Sequence, residues 1–168
     1  MNQTTKKYRI MEAIITAATV LASYLNVATA NQSGYVYNAS FEDNNVARIE
    51  VLNDNGGVLT NKLQQRFTYD SRGRLASKET LRWNAETGEF QPSELYTYSY
   101  DNYGYSMSMR RWDKMSSSYA PSGDMTVYHM VGDKVMAVDT YKRSSQHAPF
   151  ELTSGILVMN PDTNFAMM

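Results

Sequence analysis

The chain has 168 residues, no cysteine, and 16 basic against 17 acidic side chains, with 13 tyrosines, five phenylalanines and two tryptophans. The missing thiol excludes a disulfide framework, a thiolate nucleophile, a zinc–thiolate site and the lipid-modified cysteine of a bacterial lipoprotein. The even charge excludes the basic face with which nucleic-acid binders displace phosphate counterions, because Arg110-Arg111 and Lys142-Arg143 are isolated pairs.

In chain order, Lys6, Lys7 and Arg9 form a positive start, Ala13 to Leu25 carries no charge, and Ala28-Thr29-Ala30 supplies a small-x-small site. These are the three parts of an export signal. The uncharged stretch is too short to span a bilayer as a helix, which takes about 20 apolar residues. A packing helix is the competing reading of the same composition. Residues 1–30 are therefore expected to be cleaved, leaving a chain that starts at Asn31, has no transmembrane segment and carries 13 basic and 16 acidic residues. Such a protein would reside in the periplasm or outside the cell.

Residues 31–45 are polar, with Tyr35, Tyr37 and Phe41 as their large apolar groups, and read as a lead-in with room for one short strand. Residues 46–159 read as hairpin after hairpin. Asp54-Asn55-Gly56-Gly57, Asp70-Ser71-Arg72-Gly73 and Asp101-Asn102-Tyr103-Gly104 share the form Asp-x-x-Gly. The aspartate can bond backbone two residues on, and the glycine supplies positive φ. Between the turns, Tyr96, Tyr98 and Tyr100 alternate with Leu95, Thr97 and Ser99, and Tyr105, Met107 and Met109 with Ser106 and Ser108. That period of two is a strand's. Nine or ten strands result, and short connections make them an antiparallel meander. The all-β sheet is expected to curl, with a closed barrel or two-layer sandwich as alternatives. The apolar run Ile156 to Met159 should close the core or pair with an early strand, and residues 160–168 form a loosely held tail.

A unit also recurs about every 30 residues. Trp83 and Trp112, Phe90 and Tyr119, and Pro92 and Pro121 are each offset by 29, while Asp70 and Asp101, and Gly73 and Gly104, are offset by 31. Self-similarity at this period marks stacked supersecondary units. Tyr69-Asp70-Ser71-Arg72-Gly73-Arg74-Leu75 resembles the tyrosine–aspartate repeats of Rhs-type and teneurin-like proteins, which build hairpin shells. With two clear copies, an encapsulating role does not carry over. The whole layout is similar to the exported Bacteroides-type family known as domain of unknown function 3836: a leader, no cysteine, Trp-Asn or Trp-Asp before a loop and Phe/Tyr-x-Pro after it. That resemblance implies an envelope or surface location and no activity.

The most suggestive candidate site is ligand-binding: Tyr96, Tyr98 and Tyr100, with Tyr105 and Trp112 near them in sequence, could stack on sugar rings or hold a peptide. Cross-strand packing explains the same rings without a ligand. Trp83 and Trp112, recurring once per unit, suit structural anchors. His129 lies in a strand and His147 aligns with Phe90 and Tyr119, as if filling an aromatic slot. No serine-hydrolase elbow or zinc-protease helix motif accompanies them, so no catalytic residue is assigned. Asp54, Asp70 and Asp101 offer one carboxylate per turn, too few for calcium, and no metal or cofactor is expected. Glu79, Glu86, Glu89 and Glu94 cannot be paired for glycoside hydrolysis from their spacing.

Three functions follow. The first is an exported, non-catalytic domain that binds carbohydrate or an envelope protein through the tyrosine-rich face. The second is a structural subunit associating through sheet edges. The third is a hydrolase whose site the sequence does not display.

Overall fold

Each Asp-x-x-Gly segment closes a hairpin, and the aspartate caps the turn. In the computed structural model, which describes residues 13–30, 34–132 and 135–159, Asp54 Oδ1 accepts from the Gly57 N–H at 2.7 Å. Asp70 Oδ1 accepts from the N–H groups of Arg72 and Arg74, both at 2.9 Å. Asp101 Oδ1 accepts from Tyr103 and Gly104, both at 2.8 Å. Bonds that favour the ionised form hold the Asp70 and Asp101 carboxyls below their ordinary range, the first through the Arg74 N–H and the second through the Tyr103 N–H. Gly73 takes φ of +73°, as the turn reading expects. Gly104 does not have positive φ; it is glycine for a different reason, closeness to a neighbouring strand.

The strands so produced are β1 (Tyr35–Glu42), β2 (Asn45–Asn55), β3 (Val58–Tyr69), β4 (Leu75–Asn84), β5 (Glu89–Tyr100), β6 (Gly104–Asp113), β7 (Ser118–Tyr119), β8 (Asp124–Gly132), β9 (Val135–Lys142) and β10 (Glu151–Met159). They form one antiparallel meander in the order β1-β2-β3-β4-β5-β6-β8-β9-β10, with the short β7 folded onto β6. The terminal strands β1 and β10 do not pair with each other, so the sheet is open and no barrel closes. The polar lead-in is thus a full edge strand, registered from Tyr35 opposite Asn53 to Glu42 opposite Asn45.

The run Ile156 to Met159 departs from expectation. It neither closes the core nor meets an early strand; it pairs with β9, Ile156 opposite Val138, and forms the far edge. Its hydrophobicity gave no information about sequence-distant partners, whereas the hairpin rule of nearest neighbours did.

The helix α1 (Ala17–Ala30) is formed by the uncharged stretch read above as part of a leader. Thr16 and Thr19 cap its start reciprocally: the Thr16 N–H donates to Thr19 Oγ1 at 2.8 Å, and that hydroxyl donates to the Thr16 carbonyl at 2.8 Å. Just before it, the Leu75 N–H donates to the Ile15 carbonyl at 2.7 Å and Thr16 bridges to Arg74, which ties this segment to the start of β4. The helix lays Val20 and Tyr24 on the sheet. Val20 joins Val46, Ile49, Val51, Phe67 and Leu75 in the core, where Val46 and Ile49 are each 1% exposed. Tyr24 contacts the Tyr37 ring at 6.0 Å and the Phe67 ring at 6.3 Å. Among the described residues no helix is long and apolar enough to cross a membrane. Lys6 to Arg9, Asn31 and residues 160–168, where the tail is expected, lie outside the described residues.

Candidate functional site

Register decides which predicted residues share a surface. Phe67 stands opposite Lys78, Lys78 opposite Tyr96, and Tyr96 opposite Met109. Tyr98 stands opposite Met107, and Tyr100 opposite Tyr105. Tyr105 in turn faces Tyr128, Tyr128 faces Val138, and Val138 faces Ile156. These residues lie on the face that carries α1, because directly opposed side chains project to the same side. Four of the five predicted binding residues, Tyr96, Tyr98, Tyr100 and Tyr105, are thus brought together.

Trp112 is not among them. It lies seven positions beyond Tyr105 on one strand, and an odd separation sends its indole to the opposite face. There it packs edge-on against Tyr119 at 5.0 Å, and Trp83 packs edge-on against Phe90 at the same 5.0 Å. The recurring tryptophans are equivalent anchors, each bracing the base of its own hairpin. Tyr128, Met107 and Met109 also belong to the tyrosine face, beyond the five candidate residues. Parity counted from Tyr105 identifies the two methionines, whereas Tyr128 joins them only through the pairing of β6 with β8.

The ladder is built of half-buried rings. Tyr105 and Tyr128 stack at 4.6 Å with 17° between their planes, and Tyr98 and Tyr100 approach Tyr105 at 6.2 and 5.8 Å. Tyr98 packs against the core beneath α1. Tyr100 donates its hydroxyl to the Leu75 carbonyl at 2.9 Å, with the Ile15 carbonyl at 3.4 Å, while the Arg74 guanidinium sits 4.4 Å over its ring. Arg74 also holds Asp70 at 2.8 Å, so one arginine links the turn to the ladder. Tyr96 marks the polar end: Lys78 Nζ is 4.3 Å over its ring, and its hydroxyl donates to Glu94 at 3.4 Å.

Burial, reinforced by neighbouring phenols, pushes the Tyr98 hydroxyl up to about 12, and burial does the same for Tyr100. Tyr105 is raised by the same cause. A phenol whose folded pKa exceeds its unfolded value contributes stability that is complete below ~10 and is lost as pH rises through the folded value. Absorbance titration of the phenolates should therefore show a class that ionises only above pH ~11, together with the loss of β-sheet circular dichroism. A single smooth titration near 10 for every tyrosine would contradict the burial of this ladder.

The opposite face carries a polar chain. Tyr119 donates to Glu79 at 2.8 Å, and Glu79 lies 3.9 Å from Arg66. Arg66 donates to Gln64 at 2.8 Å, and Gln64 donates to Glu50 at 3.2 Å, which meets Arg48 at 3.5 Å. These bonds satisfy polar groups over β2, β3 and β4 rather than converge on an open point. Glu79 faces Leu95 while Glu94 faces Thr80, so the two carboxylates sit on opposite sides of the sheet and form no hydrolytic pair. Glu86 and Glu89 are exposed at the β4–β5 hairpin.

Ser106, His129 and Asp139 come onto one face of adjacent strands, since Ser106 and Asp139 both oppose Val127 and His129 opposes Ala137. His129 Nδ1 is 3.9 Å from Asp139 Oδ2, and no hydrogen bond among the described residues joins Ser106 to His129. A nucleophile–base relay requires contacts of ~2.6–3.2 Å, so this arrangement is not assembled as one. His147 does not fill an aromatic slot: it is exposed in the segment between β9 and β10, where Phe150 instead takes the Arg143 guanidinium at 4.8 Å. Asp54, Asp70 and Asp101 serve as turn caps, and among the described residues no three His, Asp or Glu side chains gather to hold a metal.

No curated protein matches the chain. A solved structure of a protein with unknown function from Bacteroides fragilis is similar at a TM-score of 0.64 and 19% identity, covering 79% of this chain and 96% of that one. A DUF3836 family protein from Parabacteroides distasonis is similar at a TM-score of 0.49 and 24% identity, covering 51% of this chain and 81% of its own. Another DUF3836 family protein, from Bacteroides vulgatus, covers 75% and 99% at 17% identity with a TM-score of 0.40. The first of these likenesses concerns fold alone. The model of the family of unknown function DUF3836 matches residues 3–130 of the 168, and the chain belongs to that family.

Proposed function

We propose that this is an exported, non-catalytic envelope domain that binds carbohydrate through the tyrosine face of its sheet. The observation that carries the reading is the ladder Tyr98–Tyr105–Tyr128, which begins beside α1 on β5 and continues across β6 to β8, while the helix makes its main contacts with β1 and β2. Rings fixed on strands present flat apolar area at little entropic cost. Beside them, Lys78, Glu94 and Arg111 surround Tyr96 with donors and acceptors. A sugar ring needs that combination: C–H faces stack on aromatic rings while hydroxyls bond to a charged rim. The positive start, uncharged stretch and Ala28-Thr29-Ala30 site support export to the periplasm or the cell surface.

Glycan-array binding with the purified chain tests this. Tyr105→Ala should weaken binding at least about tenfold, as loss of a central aromatic anchor does. Trp112→Ala, on the other face, should change it less than about twofold. Equal losses would show that the effect is one of folding. Retention on an envelope-protein extract with no glycan bound would move the assignment to a protein ligand at the same face.

A further inference from the structure

Tyr100, Tyr105, Tyr128, Val138 and Ile156 stand opposite one another across five strands, and this stripe reaches the sheet's edge at Ile156. Every residue of β10 is exposed, with Ile156 at 57% and Leu157 at 67%. A β-bulge falls between Leu152 and Ser154. Beyond it, Ser154-Gly155-Ile156-Leu157-Val158-Met159 holds no charge and no proline. Natural edge strands are protected by charges, proline or brevity, and this run has none of them. The same composition over six residues is what dry strand-to-strand pairing selects.

We infer that β10 is a dimerisation edge, occupied by β10 of a second copy in antiparallel pairing about a two-fold axis normal to the sheet. Such an axis keeps each face continuous, so residues of like parity meet. With the axis at Ile156, its side chain faces the partner's Ile156, Ser154 faces the partner's Val158, and Gly155 faces the partner's Leu157. The Asp139 carboxylate lies over Gly155, 2.8 Å from where a Cβ would stand, so the partner's Leu157 sits beside it and the dry contact is carried by Ile156 on the other face. The apolar stripe then runs unbroken from one copy's Tyr105 to the other's. The strand's one charge, Glu151, falls at opposite ends of the pair, so the two carboxylates stay apart. The other edge does not offer an equivalent surface: β1 has a bulge at Ser40/Phe41, ends in Glu42 and lies beside α1. Association through β10 alone is isologous and stops at two, whereas β10-to-β1 growth would make filaments.

Sedimentation of the purified chain from ~1 to ~200 µM, the span in which a small interface dissociates, should show a reversible monomer–dimer equilibrium. Ile156→Lys, which sets two ammonium groups against each other on the axis, and Leu157→Glu, which sets a carboxylate beside the Asp139 carboxylate over Gly155 of the second copy, should each be monomeric throughout with unchanged circular dichroism. Met115→Lys, at a 93% exposed loop position, should dimerise like the parent. The inference is overturned by a monomeric parent, by variants at positions 156 or 157 that still dimerise, by open-ended polymers, or by dimers that form only after residues 160–168 are removed, which would make that segment the occupant. None of these readouts involves a ligand, so the glycan-binding reading stands or falls separately.

Discussion

Gly104→Ala should unfold or severely destabilise the domain, whereas Gly73→Ala should cost little. A Cβ at position 104 would run into the Tyr128 carbonyl oxygen and lie 2.9 Å from His129 Cα. Both obstacles are backbone, and neither can rotate away. At this point the Gly104 N–H bonds Asp101 Oδ1, the Gly104 carbonyl accepts from the Asp101 N–H at 3.1 Å, and the Met130 N–H bonds the Tyr103 carbonyl at 3.0 Å. Relief would require prising β6 from β8, which detaches β8, β9 and β10 and separates the Tyr105–Tyr128 stack. Overpacking that moves backbone costs ~3 kcal/mol or more. At Gly73 nothing lies within contact of the new methyl, so the penalty is the left-handed φ alone, about 1 kcal/mol. For a chain of this length 1 kcal/mol shifts Tm by roughly 2–4 °C. Melting curves should therefore fall by ~10 °C or more for Gly104→Ala and by only a few degrees for Gly73→Ala. Equal shifts would mean that β6 and β8 are not packed as closely as described.

That pair of glycines also shows how far the sequence could be read. Both end an Asp-x-x-Gly turn, and turn chemistry alone explains Gly73. The closeness that requires Gly104 depends on β8, 24 residues onward, and local spacing carries no trace of it. Strand alternation and short connections gave the meander, because hairpins are determined by neighbours in sequence. Parity likewise contained the separation of Trp112 from Tyr105; grouping residues by nearness in sequence obscured it. The exposure of β10 could not be read in the same way. Ile156 to Met159 has the composition of a core strand, and whether such a run is inside or at an edge depends on how many strands pair beyond it.

The largest tension in the chain concerns residues 13–30, which carry both the pattern of an export leader and part of the core. Composition cannot separate the two roles, since an uncharged stretch rich in alanine and aliphatic residues serves either. The structure makes the consequence concrete. Val46, Ile49, Val51 and Phe67 form one cluster with Val20, and Tyr24 packs on Phe67. Burial raises the Tyr24 phenol strongly. Each buried aliphatic or aromatic side chain contributes ~1.5–3 kcal/mol. A chain beginning at Asn31 would leave this face bare, directly beside Tyr98 and the ladder.

Val20→Asp, which buries a carboxylate without a partner, should destabilise the full chain by at least ~3 kcal/mol. Residues 31–168 alone should bind a hydrophobic dye such as ANS and melt at least ~10 °C lower than the full chain. A synthetic peptide of residues 13–30 should reverse both changes in trans, and the same peptide with Val20→Asp should not. If residues 31–168 melt with the full chain and ignore the peptide, α1 contributes nothing to the fold and the sheet face is stable in water as it stands. If the peptide rescues, the face under α1 is an acceptor for an uncharged helix. Cleavage after Ala30 would then extend the exposed apolar surface beyond the tyrosine ladder by converting part of the core into exposed surface.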